Sequence, residues 1–312
     1  MPSSVPRAAL PAAASTLSAG VLWAGARQAV VLGSHRLGLY LDVDGTVLPV
    51  VPSDAVALPT ALRLGARSTS LPATDLPWGL EAGDRVLVGG GRVVLPVGEV
   101  VVVRTWRPAR VRRVAPGAAC RGDRAVVDAL LAEAASVCDP WLAPAVSAVL
   151  TPTTGRECGN GGGGSHFRTH GEEVGAGVAG LIGRGRGLTP SGDDALAGAL
   201  LVAHALRVSR PLATAVRSRL HATTAVSGAL LGAAGDGFAA RPVVALVDAA
   251  VVGHVEATAR TLPEVVAIGH TSGRDLVTGV LAALRALGPA TVGPTLSTTS
   301  SPTQTPTGRS AA

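Results

Sequence analysis

The chain has 312 residues, a formal net charge of +6 and a sequence pI of about 10.7. Hydrophobic residues make up 47% and aromatic residues only 2%, which excludes disorder for most of the chain and predicts cores of Ala, Val and Leu. All 27 basic residues are Arg. The absence of Lys excludes Schiff-base, P-loop and amine-nucleophile mechanisms.

The predicted elements fall into two groups along the chain. Residues 1–20 are rich in Pro, Ala and Ser and are expected to be disordered. Residues 21–116 contain short apolar runs of β type, with Asp44-Gly45 and the triple glycine at 89–91 as hairpin signals. This segment is predicted to form an N-terminal antiparallel β domain, as a small sheet or barrel.

The remaining residues, 117–288, are rich in Ala, Leu and Val at helical spacing and predict a mainly α-helical domain. The fold class predicted is therefore α+β. The Gly-rich run at 159–165 is expected to be a flexible loop and the Pro/Ser/Thr-rich tail at 289–312 to be disordered. The helices are predicted at 123–136, 144–150, 172–182, 195–208, 212–231, 242–259 and 276–287.

Charge and cysteine content favour a soluble chain of the cytoplasm. The arginines are dense only from 104 to 113, where Trp106 is the single aromatic residue, and there are no Lys clusters, so neither nucleic acid nor a membrane is an expected partner. That run is predicted to be a strand end and connector, with docking of an acidic partner subunit as the alternative. Cys120, Cys138 and Cys158 have no CxxC spacing and are expected to be reduced thiols.

One motif occurs twice in the helical half, each time at a predicted helix start. Residues 187–194 lead into a helix that contains Gly198, and residues 269–275 lead into a helix that contains Gly279. Aligned on the serine, both read Ser-Gly-x-Asp-x-x-x-Gly.

The motif has two interpretations. In the simpler one, Ser191 and Ser272 cap their helices. In the other, the inner glycines, Gly192 and Gly273, leave first-turn N–H groups open to an anion, and the outer glycine of each motif lets another element approach closely. Both helices are apolar nearly all round, so the two helix starts could face each other across one pocket.

The two segments resemble the AllH family of oxamate carbamoyltransferase subunits. The likeness rests on GRGLTPSGDDALAGALL and AIGHTSGRDLVTGVL, and extends more weakly through HATTAVSGALLGAA, the TWRP segment at 105–108 and residues 30–64. It implies carbamoyl transfer between oxalurate or oxamate and phosphate in purine or allantoin catabolism. It also implies a complex with an FdrA-like subunit and a further carbamoyltransferase partner subunit. A non-catalytic anion-binding or scaffold subunit is the alternative function.

The candidate site residues are the positions of the repeated motif and their neighbours. No cofactor and no metal are expected, because fixed N–H dipoles, hydroxyls and Arg can stabilise the charge of carbamoyl transfer. Thr223, Thr224 and Ser227 could line the same pocket, and His270 is equally well explained as a core histidine. The candidate catalytic residues are Asp194, Asp275 and His270. The candidate substrate and anion ligands are Thr189, Ser191, Gly192, Asp193, Thr271, Ser272, Gly273, Arg274 and Arg186, with Arg184 beside them.

Two further patterns have both a functional and a structural explanation. LYLDVDGTV at 39–47 is similar to the nucleophile motif of haloacid-dehalogenase-type phosphatases, but Asp-Gly between apolar runs favours a hairpin in which Asp42 and Asp44 have no catalytic role. Several potential metal ligands flank the Gly-rich run, where a surface loop is the favoured interpretation. These are Cys158, His166, His170 and Glu173.

Overall fold

The computed structural model describes residues 9–73, 77–115, 123–151 and 170–288. Within this part of the chain, eight strands form a closed barrel and ten α-helices follow or intervene. The predicted α+β fold is confirmed. The predictions for the Gly-rich run, the C-terminal tail, Cys120, Cys158 and His166 concern residues outside the described ranges.

The barrel closes on itself in the order β1-β5-β4-β3-β2-β6-β7-β8. Its interior is filled by aliphatic side chains and by Trp78, whose indole N–H donates to the carbonyl of His35. Most neighbouring strands are antiparallel, as predicted, but β4–β5 and β1–β8 are parallel. The strands are β1 (Ala9–Ser15), β2 (Arg27–His35), β3 (Gly38–Val43), β4 (Thr46–Val51), β5 (Leu62–Leu64), β6 (Arg85–Gly89), β7 (Arg92–Leu95) and β8 (Gly98–Trp106).

The prediction of a disordered N-terminus is wrong from residue 9 onward. Ala9–Ser15 form β1, which pairs with β5 on one side and with β8 on the other. The four residues from Ala12 to Ser15 are buried. Alanines have low strand propensity, so the segment gives no local strand signal, and its conformation is imposed by two long-range neighbours.

The Asp-Gly hairpin is confirmed. Strands β3 and β4 are antiparallel, with Val43 opposite Thr46. Asp44 and Gly45 have φ values of 51° and 80°, the left-handed pair that a two-residue type I′ turn requires. The side chain of Asp42 accepts the Gly45 N–H at 2.7 Å. A haloacid-dehalogenase-type site requires this motif on a parallel sheet, whereas both neighbours of β3 are antiparallel to it.

The helical part follows the predicted pattern, with two corrections. The helix predicted at 212–231 is two helices, because Thr224 caps a new one through its hydroxyl. The helix predicted at 242–259 is likewise broken at Gly253 (φ 73°), after which His254 caps the next. The helices are α1 (Ala19–Trp23), α2 (Arg124–Ala135), α3 (Leu142–Leu150), α4 (His170–Leu181), α5 (Ser191–Ala205), α6 (Arg210–Arg217), α7 (Ala225–Gly235), α8 (Arg241–Val251), α9 (Val255–Val266) and α10 (Ser272–Leu287).

Helices α5 and α10 cross in backbone contact at the centre of the helical part. A Cβ added to Gly198 on α5 would lie 2.2 Å from the Leu276 carbonyl oxygen, and one added to Gly279 on α10 would lie 1.8 Å from that of Ala195. Each outer glycine of the repeated motif therefore faces the other helix, as predicted. This crossing fixes the relative position of the two helix starts.

The connector after β8 packs on the helical part. Val111 is buried in the helical core, and its N–H donates to the Gly237 carbonyl. Arg112 donates through its backbone N–H and its guanidinium to the carboxylate of Asp248. Among the described residues, no helix is long and apolar enough to cross a membrane.

Candidate functional site

The two copies of the motif meet. The Thr189 hydroxyl, just before α5, lies 2.9 Å from the Ser272 hydroxyl in the first turn of α10. The close crossing of the two helices brings these residues together although 83 positions separate them in the sequence.

An open polar cleft of about 730 Å³ lies on one side of this hydroxyl pair. It carries two exposed arginines, Arg184 and Arg186, and the exposed His270. The guanidinium of Arg184 stacks 3.8 Å above the Trp141 ring, which fixes its position without neutralising its charge. The cleft is lined by Asp139, Trp141, Arg184, Gly185, Arg186, Gly187, Leu188, Thr189, Ser191, His270, Thr271 and Ser272.

An apolar cavity of about 330 Å³ lies on the other side, between the helical part and the barrel. Leu188, Thr189 and Ser272 line both spaces and so form the wall between them. Asp194 lines the apolar cavity and does not line the polar cleft.

The role predicted for the inner glycines is wrong. The N–H of Gly192 donates to the Arg184 carbonyl and that of Gly273 to the Ile268 carbonyl, so neither is open to a ligand. Added Cβ atoms would lie only 2.0 Å from the Leu181 carbonyl oxygen and 1.9 Å from that of Val265. These glycines allow each helix start to pack on the preceding helix end.

The capping interpretation is also wrong in its simple form. Pro190 and Thr271 occupy the cap positions, and neither helix has a side-chain cap hydrogen bond. Asp193 instead binds the preceding loop: its carboxylate accepts the Gly183 N–H at 2.8 Å and the Thr223 hydroxyl. Asp193 is thus occupied by the chain itself.

The other hydroxyls proposed for the pocket are also structural. Thr224 donates to the Leu188 carbonyl and caps α7 at the Ser227 N–H. Thr223, Thr224 and Ser227 line neither the cleft nor the cavity.

Asp194 is a buried acid with an unusual ionisation. Burial raises its pKa to about 8; hydrogen bonds from Ser272 and Thr189 oppose the rise, and the nearby carboxyl groups of Asp275 and Asp193 add to it. One of its oxygens, Oδ2, is buried and has no hydrogen-bond partner within the described ranges. At neutral pH the Asp194 carboxyl is therefore mostly protonated and can donate a hydrogen bond.

Asp275 lies deeper, away from both spaces. Its side chain is buried, and its Oδ2 also has no hydrogen-bond partner. Cys138 hydrogen bonds to Asp275 and Thr278, while burial, the largest cause, raises the pKa of the Cys138 thiol. Arg274, beside Asp275 in the sequence, does not line the cleft. Asp275 is thus placed to support the helix start and does not reach the cleft.

The predicted site residues therefore divide into two sets. The sequence analysis misses Asp139 and Trp141, which enter the cleft from the α2–α3 loop. The one available signal is a rare Trp directly after Asp-Pro. The predicted residues that do not line the cleft are Gly192, Asp193, Asp194, Gly273, Arg274 and Asp275. The cleft itself holds Arg186, Thr189, Ser191, His270, Thr271 and Ser272.

No metal site emerges from the part of the chain that the structure describes. There, no group of three or more His, Cys, Asp or Glu side chains is placed to hold a metal ion. Glu173 lies in the first turn of α4. The side chain of His170 is not among those that the structure describes.

The helical part can be compared with known families. Residues 181–284 match the AllH family. The match is to the family described as oxamate carbamoyltransferase subunit AllH, and it includes both helix starts, their crossing and the Arg184–Arg186 loop. The resemblance to AllH is thereby confirmed for this segment, about a third of the 312 residues. No solved structure matches the chain.

Proposed function

We propose that this chain is an AllH-like subunit of an oxamate carbamoyltransferase-type complex, and that the polar cleft binds a small anionic substrate. The observation that carries the proposal is the cleft itself, which lies at the junction of two helix starts within the AllH-matching segment. Its exposed arginines supply positive charge, and its hydroxyls supply hydrogen bonds to oxygen atoms.

The reaction is transfer of a carbamoyl group between oxalurate and phosphate, which gives oxamate and carbamoyl phosphate. Negative charge develops on the oxygen of the tetrahedral intermediate and is carried by phosphate. Arg184 and Arg186 are proposed to hold the phosphate or the substrate carboxylate, because a guanidinium can bind either through two parallel hydrogen bonds. The rigid stacking of Arg184 on Trp141 reduces the entropy lost on binding.

The remaining residues have distinct proposed roles. His270, exposed at the cleft wall, is proposed to transfer a proton. Thr189 and Ser272 bind substrate oxygens, and Asp194 orients their hydroxyls from behind. Asp194 is therefore proposed as a positioning residue, and Asp275 as a support for the start of α10.

The complex is proposed to include an FdrA-like subunit and a further carbamoyltransferase subunit. The name of the AllH family describes it as one subunit of an enzyme, which supports an assembly of several chains. Whether the cleft is catalytic or only binds the anion is decided by assays with and without those partners.

The test combines binding and turnover. Calorimetric titration of the full chain with oxamate, phosphate and carbamoyl phosphate is expected to show binding that Arg186→Ala weakens about tenfold or more, as for a charged hydrogen bond. Arg260→Ala is the matched control, because Arg260 is also exposed but lies on α9 outside the cleft.

The outcomes separate the alternatives. Equal weakening by both Arg variants, or none by Arg186→Ala, contradicts a site in the cleft. In the reconstituted complex, His270→Ala is expected to lower phosphate-dependent oxalurate cleavage while leaving oxamate affinity nearly unchanged. Full turnover by this variant, with oxamate still bound, would instead identify a non-catalytic anion-binding or scaffold subunit.

A further inference from the structure

The apolar cavity between the barrel and the helical part has the dimensions of a ligand site. Its volume of about 330 Å³ lies at the lower end of the range for small-molecule pockets, roughly 300 to 1,000 Å³. For comparison, an engineered apolar cavity of about 150 Å³ in another protein binds benzene. The space can therefore accept a molecule with one ring and a short substituent.

The lining of this cavity is mainly hydrocarbon from both parts of the chain. The barrel contributes the segment after β4, including Ala55 and Val56, and the helical part contributes α5, α7 and the start of α8. Polar groups are confined to two places: His35 and Tyr40 on the barrel wall, and the Thr189, Ser272 and Asp194 cluster opposite.

Exposed apolar side chains also surround this space. Leu37, Val56 and Leu188 remain 50%, 37% and 36% exposed, and all three line the cavity. Exposed apolar side chains that cluster at a concave site favour binding of an apolar molecule. The molecule and the side chains are both stabilised when their surfaces leave water. Three residues from three separate segments provide this feature.

Asp194 gives the cavity one defined polar contact. Its carboxyl is the only one among the lining residues, and its Oδ2 atom has no hydrogen-bond partner among the residues that the structure describes. The mostly protonated carboxyl can donate its O–H to a ligand. A ligand anion is unsuited to such apolar surroundings, whereas a neutral acceptor fits them.

We propose that this cavity is a second binding site, distinct from the polar cleft, for a small uncharged apolar molecule with one hydrogen-bond acceptor that faces Asp194. The proposal does not depend on the carbamoyltransferase assignment. Because Thr189 and Ser272 belong to both walls, the occupant of the cavity contacts the residues that shape the cleft.

The test uses two probes of the same shape on the full chain. Acetophenone has a carbonyl where α-methylstyrene has a methylene group, so the pair measures the net contribution of the acceptor, its desolvation included, at nearly constant shape. Saturation-transfer NMR titrations are expected to show saturable binding of both, with acetophenone about fivefold tighter, as for one neutral hydrogen bond. Asp194→Leu, which keeps the shape of the side chain, is expected to abolish that preference.

Two variants fill the cavity from opposite walls and protect the test against a folding failure. Ala197→Phe on α5 and Ala55→Phe on the barrel side are each expected to lower the affinity for both probes at least tenfold, with circular dichroism as the check on folding. Unchanged affinity in a folded filling variant, or no saturable binding by the parent, overturns the proposal. Displacement of acetophenone by oxamate would also overturn it, because both ligands would then share one space.

Discussion

Asp194 shows how a single buried side chain couples the site to stability. The pKa of Asp194 in the folded chain is about 8 against an ordinary 3.8, so the folded state keeps a proton that the unfolded chain releases. Stability must therefore fall as pH rises through the window between these two values. This loss of stability originates at the point where the two helix starts meet.

Replacing Asp194 by Asn is expected to remove this pH dependence. The free energy of unfolding of Asp194→Asn, measured by urea titration, should rise relative to the parent by about 2 to 4 kcal/mol between pH 5 and pH 8. The matched control is Asp44→Asn, an exposed hairpin carboxyl at a backbone conformation that Asn adopts readily. Its difference from the parent should not change with pH, and the same flat result for Asp194→Asn would contradict a raised pKa.

At the scale of elements, the crossing of α5 and α10 is the contact on which the helical part depends. Gly279→Ala would place a methyl group 1.8 Å from the Ala195 carbonyl oxygen, closer than any adjustment of a side chain can relieve. We expect a loss of more than about 3 kcal/mol, or no folding, because backbone must move to accommodate it.

Gly232 on α7 offers a matched control for this substitution. A Cβ added there meets nothing within 4 Å, so Gly232→Ala should stabilise the chain by up to about 1 kcal/mol through helix propensity. Thermal unfolding followed by circular dichroism distinguishes the two variants. Similar melting temperatures for both would mean that the helices do not cross in backbone contact.

The elements themselves were predictable where the signal is local. Helical spacing of Ala and Leu predicts most helices, and Asp44-Gly45 predicts the hairpin. The sequence analysis does not find the breaks at Thr224 and His254 because Ala, Val and Leu recur at helical spacing on both sides of each cap. Strand β1 was missed because its partners, β5 and β8, lie some 50 and 90 residues away.

The site was predictable only in part, for a related reason. The repeated motif correctly indicated that two helix starts meet, because the outer glycines report close packing. Successive residues of a helix point in different directions around its axis. A shift of one position in the sequence therefore decides whether a side chain faces the cleft, the cavity or the preceding loop. Asp193 and Asp194 are neighbours in the sequence, yet one binds the Gly183 loop and the other lines the apolar cavity.

At the scale of the whole molecule, the last barrel strand ends at Trp106, ten residues before the predicted 116/117 boundary. The connector belongs structurally to the helical part, because Val111 is buried in its core and Arg112 binds Asp248. Composition does not mark the end of the barrel, because the described connector residues, 107–115, form neither a named strand nor a helix.

A comparison of two fragments tests this division. The fragment 107–288 is expected to be more stable than 117–288 by about 2 to 3 kcal/mol, from burial of one Val and the hydrogen bonds of the connector. Both fragments lack the barrel and expose the same face of the helical part. The stability lost by removing the barrel is therefore the same in both and cancels in the comparison. Coincident urea midpoints would show that the connector contributes nothing to the helical part.

The parallel pairing of β1 with β8 also protects the molecule from self-association. A closed barrel leaves no strand edge with unpaired N–H and C=O groups. Proteolysis after Ser15 would release β1 and uncover β5 and β8 at once, which would provide two templates for strands of other chains. Strand β1 therefore closes an edge at which copies of this protein could otherwise join into aggregates.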